Sequence, residues 1–330
     1  METALDVRAI DLMSVGFQKA RIILTAAELD IFSKLLSGPK SADDLCEAYG
    51  WDLRGLEILL DALASLKLLN KSSESYSIKP QLYMALDPNS EESILPMILH
   101  RARMWKSWSN LTSIVKGDFD KGSFIKTDKS RNDIEAFIGA MEVVGRKRAM
   151  RIAKDINLDG RKNLLDIGGG SGVYSRALLE LNPNLSATLF DLSLVIEITR
   201  ERITGTKFAS RISYVEGDFN KDALPTGHDT VLLSAIIHIN GRERNRSLFS
   251  KAYQALEPNG LLIIRDHIMD ESRISPSDGA IFAVNMLVAT REGNTYTFRE
   301  ISEDLIIAGF NDVQLVRGGN QMDQIITALK

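Results

Sequence analysis

The 330-residue sequence has a single cysteine, Cys46, which excludes an intramolecular disulfide, and its four histidines leave little for a zinc cluster. Charge of one sign is not in excess either. Forty Lys and Arg stand against 44 Asp and Glu, a net of −4, so nothing draws the chain as a whole to nucleic acid or an anionic membrane. Long hydrophobic runs are missing: the longest, from Val231 to Ile239, is interrupted by Ser234 and His238 and falls short of the ~18 residues a membrane span needs. The first residues carry Glu2, Asp6 and Arg8 and no apolar core of export-signal length. These absences predict a cytoplasmic protein with no metal, membrane or nucleic-acid partner.

What is present is an ordinary globular composition, 44% hydrophobic and 25% charged, at about twice a typical domain length. Three regions are expected: 1–90, a helical connector over 91–150, and 151–330. The first reads as a helix over Phe17–Leu36 stopped by Gly38-Pro39, a short helix capped by Ser41, and a third over Leu53–Leu66. A polar turn at Asn70–Ser75 and a short strand at Tyr76–Ile78 follow. Three helices and a hairpin make the pattern of a winged helix, but DNA binding does not fit it. Residues 41–80 carry seven acids and four bases, and the would-be recognition helix is lined with Leu53, Leu56, Ile58, Leu59, Leu60, Leu63 and Leu66. A helix entering a groove needs bases and polar side chains instead. The region reads as a packing or dimerisation module.

From Asn163 strands alternate with helices: strands at Leu164–Ile167, Ala187–Asp191, Ile212–Glu216, Thr230–Ile237, Gly260–Asp266, Asp312–Leu315 and Gln324–Leu329. The helices between include Val173–Leu181, Arg242–Leu256 and Phe298–Ala308, the last opened by a capping box of Thr297 and Glu300. That rhythm predicts a doubly wound α/β sheet with its ligand at the carboxyl ends of the strands. Asp166-Ile-Gly168-Gly-Gly170-Ser-Gly172 follows the first strand. The dinucleotide fingerprint wants a third glycine where Val173 stands, and the Gly-Lys-Ser/Thr of a P-loop is missing. Glycines there admit a ligand against the backbone, and an acid such as Asp166 suits an ammonium better than a pyrophosphate. Asp191 ends the second strand 23 residues after Gly168, where an acid accepts ribose hydroxyls. Asp218 and Phe219 follow the third strand, offering a carboxylate for an exocyclic amine and a ring for a purine. Together these point to an adenosine ligand without phosphate.

With these motifs the chain resembles the small-molecule O-methyltransferases that include the plant caffeate/flavonoid enzymes, acetylserotonin methyltransferase and bacterial polyketide-tailoring enzymes. The likeness runs through Leu165–Gly172, Phe190-Asp-Leu192, Gly217-Asp-Phe219, Ala255–Gly260 and Ala308-Gly-Phe310. It implies a Rossmann-like methyltransferase domain (151–330) joined to an all-helical N-terminal winged-helix dimerisation domain (1–90), a homodimer, and S-adenosyl-L-methionine as cofactor with S-adenosyl-L-homocysteine as product. By the same resemblance Gly168 and Gly170 lie along the methionine part, Asp191 and Leu192 hold the ribose and flank the adenine, and Asp218 and Phe219 contact the adenine.

Methyl transfer needs alignment and a deprotonated nucleophile. A phenol with a pKa of ~10 gains from a nearby base, and histidine's ordinary ~6.5 suits that role. His238 lies just past the fourth strand, and Asp266 ends the fifth, next to it in the sheet, where it can orient the imidazole; the family's base and first supporting carboxylate map onto them. His267 is a further candidate pocket residue. The chain departs from the family at three places. The usual His-Asp-Trp is His238-Ile-Asn240, a common lysine that serves the cofactor is Ser234, and a second supporting glutamate falls at Thr295. The resemblance puts the substrate wall at Met141 and Val144 in the connector and at Asn285, Met286 and Ala289, with Trp105 as a further contributor. Carbon or nitrogen methylation, or cofactor binding without methyl transfer, is the alternative within enzymes. A winged-helix DNA-binding regulator is the alternative outside them, with a nicotinamide dehydrogenase third.

Overall fold

A computed structural model of the chain describes residues 6–119 and 130–330, apart from the side chain of Lys147, so part of the expected connector lies outside the described residues. The chain divides into two compact units, one through Lys106 and one from Ser107.

The first unit contains α1 (Val7–Ser14), α2 (Gly16–Glu28), α3 (Ile31–Leu36), β1 (Lys40–Ser41), α4 (Ala42–Tyr49), α5 (Leu53–Ser65), β2 (Leu69–Ser72), β3 (Ser75–Ile78) and α6 (Tyr83–Leu86). The single helix expected over Phe17–Leu36 is broken at Asp30, whose φ of 56° is left-handed, a conformation aspartate tolerates better than most residues. The break turns Ile31, Phe32 and Leu35 into the core, so the apolar periodicity runs through it unmarked. α4 begins with the expected Ser41 cap, reinforced by Asp44. In α5, Leu56, Leu60 and Leu63 recur at helical spacing and are buried. The unit is not all-helical. The stretch expected as a polar turn supplies β2, and β1, β3 and β2 form a three-stranded antiparallel sheet.

α7 (Leu95–Trp108) contains the division between the units, and α8 (Leu111–Lys116) and α9 (Arg131–Ala153) follow. Then come β4 (Asn163–Ile167), α10 (Val173–Leu181), β5 (Ser186–Asp191), α11 (Ser193–Ile203), β6 (Ile212–Glu216), β7 (His228–Ser234), α12 (Arg242–Ala255) and β8 (Leu256–Asp266). The chain closes with β9 (Ile268–Met269), α13 (Ser277–Ala289), β10 (Tyr296–Thr297), α14 (Phe298–Ile307), β11 (Asn311–Arg317) and β12 (Gln324–Leu329).

Seven strands form one sheet in the order β11-β12-β8-β7-β4-β5-β6, with β12 antiparallel to both neighbours and the pairs from β8 to β6 parallel. Period-two alternation gives the sheet two cores. Leu165, Ile167, Val231, Leu233, Leu262 and Ile264 face α12 and α14, while Leu164, Leu189, Leu232 and Ile263 face α9, α10 and α11. The doubly wound sheet covered on both faces is thus as expected, and strand order reverses between β4 and β7. β7 ends three residues before the expected Ile237. Ala235 has a φ of 61°, and a 3-10 turn over Ile237–Ile239 replaces the strand. Ile236 and Ile237 are buried in that turn, so apolar composition alone does not mark the strand's end.

Candidate active site

Both sides of the switch point carry candidate residues. After β4 the loop turns through Gly168, Gly170 and Gly172, all at φ between 53° and 69°, where side chains are strained. A Cβ on Gly168 would come 2.4 Å from Ile236 Cδ1, and one on Gly172 3.0 Å from Leu189. At Gly170 it would meet only the Gly168 carbonyl at 4.0 Å. The loop is therefore tight against protein on one side and open on the other. Asp191, at the end of β5, accepts the Gly170 N–H at 2.9 Å and the Leu192 N–H at 2.8 Å. Burial pushes its carboxyl above the ordinary value against those two bonds. Leu192 beside it is half exposed, at 51%. Thr199 on α11 donates to the Gly170 carbonyl at 2.5 Å, which ties the loop from the other side.

Asp166 lies beneath this loop, 2% exposed, and accepts the Ser175 hydroxyl at 2.6 Å. Burial pushes its pKa up to about 7, and among the described residues its Oδ1 has no hydrogen-bond partner. Asp218 follows β6 and pairs with Lys221 at 2.9 Å. Burial pushes its carboxyl up, but the Lys221 bond, the Asn220 N–H and the charges of Lys221 and Lys251 together outweigh it and the net shift is downward. Lys251 on α12 holds this loop through the carbonyls of Phe219 and Asp222, at 2.9 and 2.8 Å.

Across the switch point, His238 sits in the 3-10 turn after β7, 7% exposed. Its Nδ1 lies 2.8 and 3.0 Å from the two oxygens of Asp266, at the end of β8 and fully buried. Asp266 also accepts the His267 N–H at 2.8 Å. Burial would raise its carboxyl, but His238, the His267 N–H and Arg265 hold it below the usual range. With Nδ1 engaged by a carboxylate, the ring carries its proton there, and Nε2 has no hydrogen bond among the described residues. Thr295 is buried with its backbone bonded to Asn294 and Arg273.

Ser234 accepts a bond from the buried Arg265 at 3.0 Å, and Arg265 lies over the Tyr174 ring at 4.3 Å. On α13, Phe282 meets the His238 ring edge-on at 4.8 Å and His267 at 5.0 Å. Sequence reasoning missed Phe282, although it lies three and four residues before Asn285 and Met286 and so shares their helical face. Asn285 Oδ1 accepts from the Trp108 indole at 3.1 Å, and Met286 is buried. Ala289 is exposed at the end of the helix. Met141 and Val144 are half-buried on α9, whose Gly145 packs against Val173 of α10. Trp105, offered with them, packs in the first unit beneath Arg21. Among the described residues, no group of three His, Cys, Asp or Glu is placed to hold a metal ion, and no helix is long and apolar enough to cross a membrane.

Fold and site together define an α/β protein with its ligand-binding cradle at a sheet's switch point. Residues 111–311 match the O-methyltransferase domain, and residues 11–85 match the O-methyltransferase dimerisation domain. The chain is 30% identical over 310 residues to 3-hydroxy-5-methyl-1-naphthoate 3-O-methyltransferase of Streptomyces sahachiroi, covering 92% of this chain and 90% of that one. It is 29% identical over 330 residues to the acetylserotonin O-methyltransferase of Gallus gallus, covering 95% and 94%. The human N-acetylserotonin methyltransferase in complex with S-adenosylmethionine superposes with a TM-score of 0.83 at 25% identity, over 100% of this chain and 99% of that one. The chain belongs to the O-methyltransferase family.

Proposed function

We propose that this protein transfers a methyl group from S-adenosyl-L-methionine to a hydroxyl of a small aromatic or heteroaromatic molecule, as a homodimer formed through its N-terminal domain. The cradle fits that cofactor. Gly170 opens a backbone surface that a side chain would block, Asp191 has lone pairs for ribose hydroxyls beyond its two backbone bonds, and half-exposed Leu192 offers an apolar surface for a base. Phe219 and Asp218 complete the adenine side, and Gly168 with Gly170 the methionine side. The unpartnered Oδ1 of Asp166 is the acid available beneath the loop, and Ser234 contributes through the Arg265 guanidinium it holds. When bound, the cofactor supplies an electrophilic methyl group on a cationic sulfur.

The observation that carries the chemistry is the His238–Asp266 pair. His238 takes the hydroxyl proton on Nε2, so the acceptor oxygen meets the methyl group as an anion. Asp266, ionised in the protein interior, orients the ring through Nδ1–H and stabilises the imidazolium that forms. Phe282 and Met286 supply an apolar surface for a flat ring, extended by Met141, Val144 and Ala289. An indole N–H only donates, so Trp108 holds the Asn285 amide with Oδ1 toward the indole, and Nδ2, which has no hydrogen bond among the described residues, can bond the acceptor.

The test uses methyl-labelled S-adenosylmethionine with hydroxynaphthoates, catechols and hydroxyindoles, comparing wild type with His238→Ala. Label transfer that falls by about 10³ in the variant supports hydroxyl methylation with His238 as base. Transfer that survives removes His238 from that role and favours a nucleophile that needs no base. Absence of cofactor binding by calorimetry overturns the whole reading.

A further inference from the structure

The His238 turn leaves the sheet at Ala235, so no strand pairing holds it in place. Three backbone carbonyls of the turn, those of Ile237, His238 and Asn240, instead accept donors from outside it. Asn245 Nδ2 on α12 donates to the Ile237 carbonyl at 2.8 Å. The Asn294 N–H, after α13, donates to the His238 carbonyl at 2.9 Å. The Tyr296 hydroxyl on β10 donates to the Asn240 carbonyl through a short bond. Asn240 Nδ2 reaches back to Asn245 Oδ1 at 3.3 Å, so the two ends of the turn are also tied to each other. Asn240 and Asn245 are each 2% exposed and Tyr296 5%, so no water replaces a lost donor cheaply. Asp266 fixes the ring of His238, whereas these donors fix the backbone from which the ring projects.

From this geometry we infer that Asn245 and Tyr296 are positioning residues for His238, holding Nε2 where the acceptor hydroxyl must be met. The inference rests on the reading of His238 as the base. Burial pushes the Tyr296 phenol up to about 12, so its hydroxyl remains a donor throughout the range in which an enzyme is assayed. Among the described residues neither side chain hydrogen-bonds the His238 ring, so each acts through the carbonyl it holds. A displacement of about 1 Å in a reacting group costs up to ~10²-fold in rate.

The experiment measures kcat and KM from pH 6 to pH 10 with labelled S-adenosylmethionine and a hydroxynaphthoate, for wild type, Tyr296→Phe, Asn245→Leu and His238→Ala. Both positioning variants should lose about 10-fold in kcat near neutrality with KM for either substrate changed less than about twofold. The deficit should shrink toward pH 10, because the phenol itself ionises near ~10 and no longer needs a base. In the His238→Ala background, Tyr296→Phe should cost less than about twofold, since the two act as one unit. A loss that is equal at every pH, that raises KM in proportion, or that adds in full to His238→Ala assigns the bonds to stability alone and overturns the inference.

A second readout needs no turnover. In histidine-labelled protein the His238 ring signals, identified by their loss in His238→Ala, should be single and sharp in wild type and shifted or broadened in Tyr296→Phe, as the backbone beneath the ring is released. Unchanged ring signals in the variant overturn the inference, whether or not an acceptor has been found. If His238→Ala keeps full turnover while Tyr296→Phe disturbs the ring signals, the base reading fails and the clamp on the turn stands. Asn245→Leu decides the question if Tyr296→Phe does not fold.

Discussion

The two halves of the sheet's carboxyl edge are built by opposite means. On the β4–β5 side the shape comes from backbone, with three glycines in left-handed conformations and one carboxylate, Asp191, bracing the loop through N–H groups. On the β7–β8 side the shape comes from side chains, with Asp266 on the imidazole ring and Asn245 and Tyr296 on the turn's carbonyls. A backbone cradle is all or none, because a Cβ at a left-handed position strains it wherever it points. A side-chain clamp is graded, because each donor can be removed singly. The halves are joined along the β4–β7 pairing, and beyond it Gly168 faces Ile236 just ahead of the His238 turn.

Four substitutions sharpen the contrast. The largest effect belongs to His238→Ala, a loss of about 10³ in kcat with cofactor affinity kept within about twofold, read by steady-state rates and calorimetry. Next is Gly168→Ala, which should cost about 2–4 kcal/mol in urea unfolding through its left-handed φ and the 2.4 Å approach to Ile236. Adding Ile236→Val removes the clashing Cδ1 and should recover part of that loss but leave the dihedral strain. Full recovery would show that the cradle depends on packing and not on backbone.

Asp166→Asn comes third. Asp166 is held at about 7, against ~3.9 in an unfolded chain. The folded state therefore binds the extra proton between those values, and wild-type stability from this group falls as pH rises from about 4 to about 7. The amide should abolish that slope and gain on the order of 1–3 kcal/mol at pH 8 over its effect at pH 5, while weakening cofactor binding. Equal stability differences at both pH values would exclude the shift. The smallest effect is that of Leu192→Ala, under about 1 kcal/mol in the protein alone but several-fold in cofactor affinity. If affinity did not change, the leucine would have no part in flanking the adenine.

How much of this was legible beforehand follows the same division. The glycine loop, Asp191 and the strand after it are local in sequence, and their spacing carries their meaning. His238 and Asp266 were legible as two strand ends adjacent in the sheet. Tyr296 and Phe282 were not, because each matters through a partner tens of residues away that no local pattern encodes, and Asn245 was not, because its partner is a backbone carbonyl that carries no residue signature. The breaks at Asp30 and Ala235 escaped for a different reason. Both segments remain apolar through the bend because both sides of it are buried, so composition keeps its rhythm where the backbone does not. The unread β2 was polar and exposed beyond Leu69, and only its pairing with β3 makes it a strand.

β12 runs antiparallel between β8 and β11, and Gln324 pairs with Asp266 and bonds both the N–H and the carbonyl of Ile268. The second partner of β8 thus lies more than fifty residues downstream of it, after β7 has already paired with its other edge. At a ribosomal pace of ~5–20 residues per second, that edge waits roughly 3–12 s for its neighbour to emerge. Leu262, Ile263 and Ile264 stand on a strand with one side unpaired for all of that time, which leaves β8 of the newborn chain open to edge pairing until β12 arrives.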